Sequence, residues 1–190
     1  MMKKYAWSKL KYMNPTEYLL GIDKVFNDSG IKKYKNASDI LLDRHIRDVA
    51  EDRRCAIFCH GAGQALGAEI VFSSYENADY DYVGAYKKDG RFHPFPIQLK
   101  QVVPDRLNSS TSLQKEIDKL SKYVDSEDLT VAIHVNRKIH IKPLELGVTD
   151  VKVKEIWLFA KLYNESNTWI LYGNLMAANS DVYAFQLPDT

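Results

Sequence analysis

Asp79-Tyr80-Asp81-Tyr82-Val83-Gly84-Ala85-Tyr86, then Lys87-Lys88-Asp89-Gly90-Arg91, then Phe95-Pro96-Ile97-Gln98-Leu99-Lys100-Gln101-Val102-Val103 is the stretch that decides the fold. The β-branched and aromatic run from Tyr80 to Tyr86 reads as a strand, and Asp89-Gly90 is a strong hairpin-turn signal. Phe95 to Val103 reads as the next strand, entered through Pro94 and Pro96 and closed by Pro104. Residues two apart on a strand share a face, so Gln98 and Lys100 project together while Ile97 and Leu99 point the other way. A polar pair set between apolar neighbours on a central strand is unusual. Asp81, on the preceding hairpin strand, falls beside it.

Working outward, Glu69 to Tyr75 is a further strand, joined to the hairpin by the turn Glu76-Asn77-Ala78-Asp79. Before it, Asn36-Ala37-Ser38-Asp39 opens a helix with apolar positions Ile40, Leu41, Ile46, Val49 and Ala50. The same pattern runs on, with room for a kink, through Cys55, Ile57, Phe58, Ala62 and Leu66 to a stop at Gly67. Gly61 and Gly63 weaken a helix but allow it to approach a sheet closely. An N-terminal helix starts at Asn14-Pro15-Thr16-Glu17 and stops at Asp28-Ser29-Gly30.

On the other side, Leu113, Ile117, Leu120 and Val124 mark an amphipathic helix, with Lys115, Lys119 and Lys122 off the stripe as a solvated face. Leu129 to Val135 is then a strand parallel to the third, because a helical crossover separates them. A short strand is expected at Ile139 to Ile141, followed by Glu155 to Leu162, Trp169 to Tyr172 and Val182 to Phe185. The spacing of Trp157 and Phe159 favours an extended segment, although periodicity alone also allows a helix there. The reading is one α/β domain over 1–190. It comprises an N-terminal helical element (1–35), a core with a mixed central sheet flanked by helices (38–137), and a β-rich C-terminal extension (138–190).

The 26 basic and 25 acidic side chains leave a formal net charge of +1, so attraction to nucleic acid must come from a local basic surface. The apolar runs are far shorter than the roughly 20 residues that span a bilayer. No apolar signal core follows Met1-Met2-Lys3-Lys4, which makes the cytoplasm the default compartment. Cys55, Cys59 and His60 stand at metal-clip spacing, but no second Cys/His cluster completes a four-ligand zinc site, so the expectation is a pair of buried, reduced thiols. The C-terminal aromatics Trp157, Phe159, Tyr163, Trp169 and Tyr172 read as core and cross-strand partners, and His134 as a structural histidine.

The polar trio has a chemistry. A carboxylate at Asp81 is a hard oxygen ligand of the kind magnesium prefers. A cation there polarises a phosphate and lowers the pKa of a bound water. The Lys100 ammonium would stabilise charge building on phosphoryl oxygens, and Gln98 would orient a water or ligate through its amide oxygen. Against this stand two structural readings: Asp81 as a carboxylate capping backbone groups, and Lys100 as an edge-strand lysine that blocks unwanted pairing.

Asp79-Tyr80-Asp81-Tyr82-Val83 followed by Ile97-Gln98-Leu99-Lys100 resembles the aspartate strand and acid-X-lysine strand of the PD-(D/E)XK nuclease superfamily, with glutamine in the acidic position. The order helix, three strands, helix, strand agrees with that family's core over about residues 38 to 137. The resemblance implies a restriction-endonuclease-like fold and a magnesium- or manganese-dependent nuclease, with nucleic acid, DNA in the leading reading, as partner. It also implies a glutamate on the first core helix, best matched by Glu51, with Glu69 as its fallback and Asp79 as the fallback for Asp81. Glu51, Asp81 and Gln98 are then the expected metal ligands or water-orienting groups and Lys100 the charge stabiliser. Many enzymes with this core act as dimers, so a homodimer is what the resemblance suggests. The alternative reading is a noncatalytic nucleic-acid- or protein-binding module on the same fold.

Overall fold

A computed structural model describes residues 7–28, 44–75, 79–123, 126–142, 145–163 and 167–189. Its elements in chain order are α1 (Pro15–Asp28), α2 (Arg44–Leu66), β1 (Ile70–Ser74), β2 (Tyr82–Lys88), β3 (Arg91–Val102), α3 (Leu113–Asp118), a 3-10 turn (Lys119–Lys122), β4 (Ser126–Val135), β5 (Val153–Lys161), β6 (Thr168–Gly173) and β7 (Asp181–Gln186). The expected helix opening at 36–41 and the turn residues 76–78 lie outside the described residues.

The strands form one seven-stranded sheet in sequence order β1 to β7. β1, β2 and β3 are an antiparallel meander; β3, β4 and β5 run parallel; β5, β6 and β7 are antiparallel again. The β2–β3 turn is the expected Asp-Gly pair, with Asp89 at φ 50° and Gly90 at φ 72° joining Lys88 to Arg91. Both signs match the two-residue turn whose twist suits a hairpin. β3 starts earlier than the prolines suggested, at Arg91, and runs through both Pro94 and Pro96. Its pairing with β4 begins only at Ile97, so both prolines sit where β3 has a single neighbour and one side of its backbone needs no donor.

α2 is one continuous helix through Gly61 and Gly63 and ends at Gly67, φ 60°. There the Ala68 N–H bonds to the Gly63 carbonyl (3.0 Å) and the Gly67 N–H to that of Gln64 (3.4 Å), a Schellman ending that satisfies two orphan carbonyls. The small residues act as expected: a Cβ at Gly61 would lie 2.6 Å from the Phe185 ring, so glycine lets α2 settle onto β7.

Two apolar layers result. Under α2 lie Phe72, Tyr82, Ile97, Ala132, Trp157, Phe159, Leu171 and Phe185; the opposite face packs Val83, Val102, Val131, Ile133, Ile156 and Leu158 against Leu113, Ile117, Leu120 and Tyr123. Each large side chain fully removed from water contributes about 1.5–3 kcal/mol, so the two layers supply the main force holding both helices to the sheet. Trp157, Phe159 and Trp169 are core residues, whereas Tyr163 is exposed.

Two expectations are corrected and a third is borne out. The segment Ile139 to Ile141 is not a strand: it runs in the β4–β5 connection, with Ile141 packed on the second layer and Ile139 exposed. The amphipathic helix tightens into a 3-10 turn after Asp118 instead of continuing as α-helix to Val124. Residues 153–161 are strand, paired on both sides, which removes the helical option. Among the described residues no helix is long and apolar enough to cross a membrane.

Candidate functional site

Asp81, Gln98 and Lys100 meet near the carboxyl ends of β3 and β4. Asp81 immediately precedes β2, its N–H bonded to the Ile97 carbonyl at 3.0 Å. Its Oδ2 accepts the Leu99 N–H at 3.0 Å and a short hydrogen bond from Gln98 Nε2. Gln98 is buried, and its Oε1 accepts from the Tyr123 hydroxyl at 3.0 Å. A chain of bonds thus runs Tyr123–Gln98–Asp81 and fixes which end of the amide faces the carboxylate. The capping reading of Asp81 is correct as far as Leu99 goes, and the same carboxylate takes the Gln98 amide as well.

Lys100 is not on an edge, since β3 lies between β2 and β4. Its side chain is half-buried on the Tyr123 face and has no hydrogen-bond or ion-pair partner among the described residues. Burial lowers its pKa, as do the neighbouring ammoniums of Lys122 and Lys119, while Asp81 and Glu116 pull it back up. An ammonium held so is poorly solvated and responds strongly to an arriving anion.

Glu51 reaches the same end of the sheet from α2, the opposite layer to Tyr123. It is paired with Arg54 at 3.4 Å. Burial raises its pKa, Arg54 opposes that, and the charge of Asp81 raises it further, so the two carboxylates feel one another. Its neighbour Asp52 accepts from the hydroxyls of Tyr82 (2.8 Å) and Ser74 (3.1 Å) and holds α2 to β1 and β2. Glu69 sits just before β1 at the far end of the sheet and does not join the cluster, whereas Asp79, though exposed, is close enough that burial, Asp81 and then Asp79 raise the pKa of Tyr123.

A hard divalent cation fits this donor set only in part. Among the described residues no group of three or more His, Cys, Asp or Glu is placed to hold a metal ion. Gln98 turns its nitrogen toward Asp81 and gives its oxygen to Tyr123. What remains for a cation is the Asp81 carboxylate, with Glu51 nearby but ion-paired to Arg54.

Sequence reading passed over three contributors. Tyr123 continues the stripe of Leu113, Ile117 and Leu120, and a tyrosine on a buried stripe needs a partner for its hydroxyl; Gln98 on the facing strand was the available signal. Glu116 is buried on α3, with Lys119 Nζ at 2.6 Å from its Oε1. Buried Arg137 gathers the β3–α3 connection by donating to the carbonyls of Val103 (2.7 Å from Nε), Thr111 (2.9 Å) and Asn108 (2.7 Å), and pairs with Asp105 at 2.7 Å. Nothing local to Arg137 announces that clamp.

His134 lies under α2, on the face opposite Gln98 and Lys100. It stacks on Phe159 with ring centroids 5.0 Å apart, and its buried Nδ1 has no hydrogen-bond partner among the described residues. Burial and the charges of Arg54 and Arg53 push its pKa down to about 3. Cys55 and Cys59 are buried free thiols, with burial raising the pKa of Cys55, and His60 is bonded elsewhere. We found no matching family model, curated protein or solved structure for this chain.

Proposed function

We propose that the chain is a metal-dependent nuclease that hydrolyses phosphodiester bonds in DNA, on a restriction-endonuclease-like core running from α2 through β4. The observation that carries the reading is the half-buried Lys100 ammonium, without an ion-pair partner among the described residues, beside the Asp81–Gln98 pair. A lysine held in this way within a sheet is costly unless an anion arrives to use it. The order α2, three-stranded meander, α3 and parallel β4 supports the same reading, and two copies acting on two strands are part of it.

In this site Lys100 holds a non-bridging phosphoryl oxygen and stabilises the charge that builds there. Asp81, fixed by Leu99 and Gln98, presents a carboxylate beside the phosphate, and Glu51 adds a second from the α2 side. Magnesium or manganese, when bound by Asp81, supplies charge neutralisation and a more acidic water. Hydrolysis forms one P–O bond from a water and breaks one P–O ester bond. The water's proton passes to solvent and the leaving oxygen takes one up.

Calorimetric titration of manganese into the wild type and Asp81→Ala tests the cation. The expected result is binding in the wild type that is lost in the variant, with both folded; equal binding in the two proteins would count against the site. One feature favours the second reading, a noncatalytic nucleic-acid-binding module: Gln98 stands in the acid position with its oxygen engaged by Tyr123. That reading expects salt-sensitive binding without magnesium-dependent turnover.

A further inference from the structure

The 3-10 turn after α3 carries two lysines next to the site. In a 3-10 helix residues three apart eclipse, so Lys119 and Lys122 stand on one side while Leu120 and Tyr123 share the buried one. Tyr123 fastens this turn to the site through its 3.0 Å bond to Gln98, and Lys122 Nζ lies 4.9 Å from the centroid of the Tyr123 ring. Lys122 has no carboxylate within ion-pairing distance among the described residues, and Lys119 is held by Glu116 alone.

Lys122 and Lys119 both act on the Lys100 ammonium, against Asp81 and Glu116. A cluster of three ammoniums with the carboxylates of Asp81 and Glu116 results, and the Asp79 charge reaches the Tyr123 hydroxyl beside it. It lies on the Tyr123 face, contiguous with the carboxyl ends of β3 and β4.

We propose that Lys119 and Lys122 grip backbone phosphates of a nucleic-acid strand, next to the phosphate held at Lys100. The proposal rests on the phosphodiester reading of the Asp81 site and adds the path the strand takes across the protein, over the 3-10 turn. Lys119 is kept in place by Glu116 until a phosphate competes for it. Lys122 lies over the tyrosine ring with no ion-pair partner among the described residues. The grip reads charge and not sequence, because phosphate contacts position a strand without reporting its bases.

The test is the salt dependence of binding, followed by fluorescence anisotropy of a labelled mixed-sequence DNA duplex and of its single strand, in EDTA so that nothing is cut. Two lost phosphate contacts flatten the slope of log affinity against log salt by about 1.8 for a duplex and about 1.4 for a single strand. Lys119→Gln/Lys122→Gln is expected to show that change and Lys122→Gln alone about half of it, with Glu116 left paired. Lys122→Arg keeps the wild-type slope. Lys87→Gln/Lys88→Gln, at the other end of β2, leaves it unchanged.

An unchanged slope in the double variant, an equal change in the Lys87/Lys88 control, or no binding by the wild type overturns the proposal. The expected slope change without magnesium-dependent cleavage leaves the grip standing and removes only the catalytic reading. Cleavage with an unchanged slope does the reverse.

Discussion

His60 and Lys100 sit near opposite ends of the sheet, and both are polar groups set against apolar packing. His60 has its partners on board: Nδ1 is 3.0 Å from the Thr16 hydroxyl, and Nε2 is 3.0 Å from the Gln186 carbonyl and 2.7 Å from Gln64 Nε2. It ties α1 and the strand β7 to α2 beside a cavity of about 300 Å³. Lys100 has no such partner among the described residues, and the groups nearest it include two more ammoniums. A polar group that serves the fold is bonded within the fold. On the proposed reading Lys100 is left for a ligand to satisfy, and stability bears the cost.

The sharpest way to break that contrast is Lys100→Met, which keeps the length of the chain and removes the charge. On the proposed reading, loss of this charge-stabilising donor costs about 10²–10³-fold in turnover. The same substitution is expected to raise the melting temperature, because a desolvated ammonium is replaced by a thioether; a fall would contradict the cost assigned to Lys100. His134→Phe follows in size. A histidine held neutral, with its pKa moved from 6.5 to about 3, gives stability that is complete above 6.5 and lost as pH falls toward 3. At pH 5 that loss is about 2 kcal/mol, so the phenylalanine variant should be the more stable by about that amount in acid denaturant titrations, with a flatter pH profile. His60→Ala is the smallest: a loss of about 1–2 kcal/mol in urea unfolding with cleavage unchanged. Altered cleavage there would erase the distinction between the two ends.

Much of this was legible because it depends on short-range pattern. The alternation Ile97-Gln98-Leu99-Lys100 places two polar side chains on one face whatever the rest of the chain does, and Asp89-Gly90 sets the hairpin by local backbone preference. Trp157 and Phe159 favoured an extended segment over Glu155 to Leu162 for the same reason, and β5 forms there. What escaped depends on contacts distant in sequence. Tyr123 meets Gln98 across 25 residues, and Arg137 reaches carbonyls 26 to 34 residues away. The expected strand at Ile139 to Ile141 had suitable residues but no neighbour to pair with. β3 ran through its prolines because β4 joins it only from Ile97, a fact of register that no proline reports.

Glu51 shows where local reading reaches its limit. Its place on the helix follows from the order of elements, yet α2 brings it to the Asp81 end from the layer opposite Lys100, already paired with Arg54. Whether it works with Asp81 depends on a cation to draw it from that arginine, so Glu51→Gln should weaken manganese binding less than Asp81→Ala does in the same calorimetric series.

The most direct test of the central claim is cleavage of supercoiled DNA and of single strands in magnesium or manganese by the wild type and by Lys100→Met, side by side. The account expects cation-dependent cleavage by the wild type and its loss in a variant that melts at a higher temperature. Equal cleavage by both proteins would contradict it.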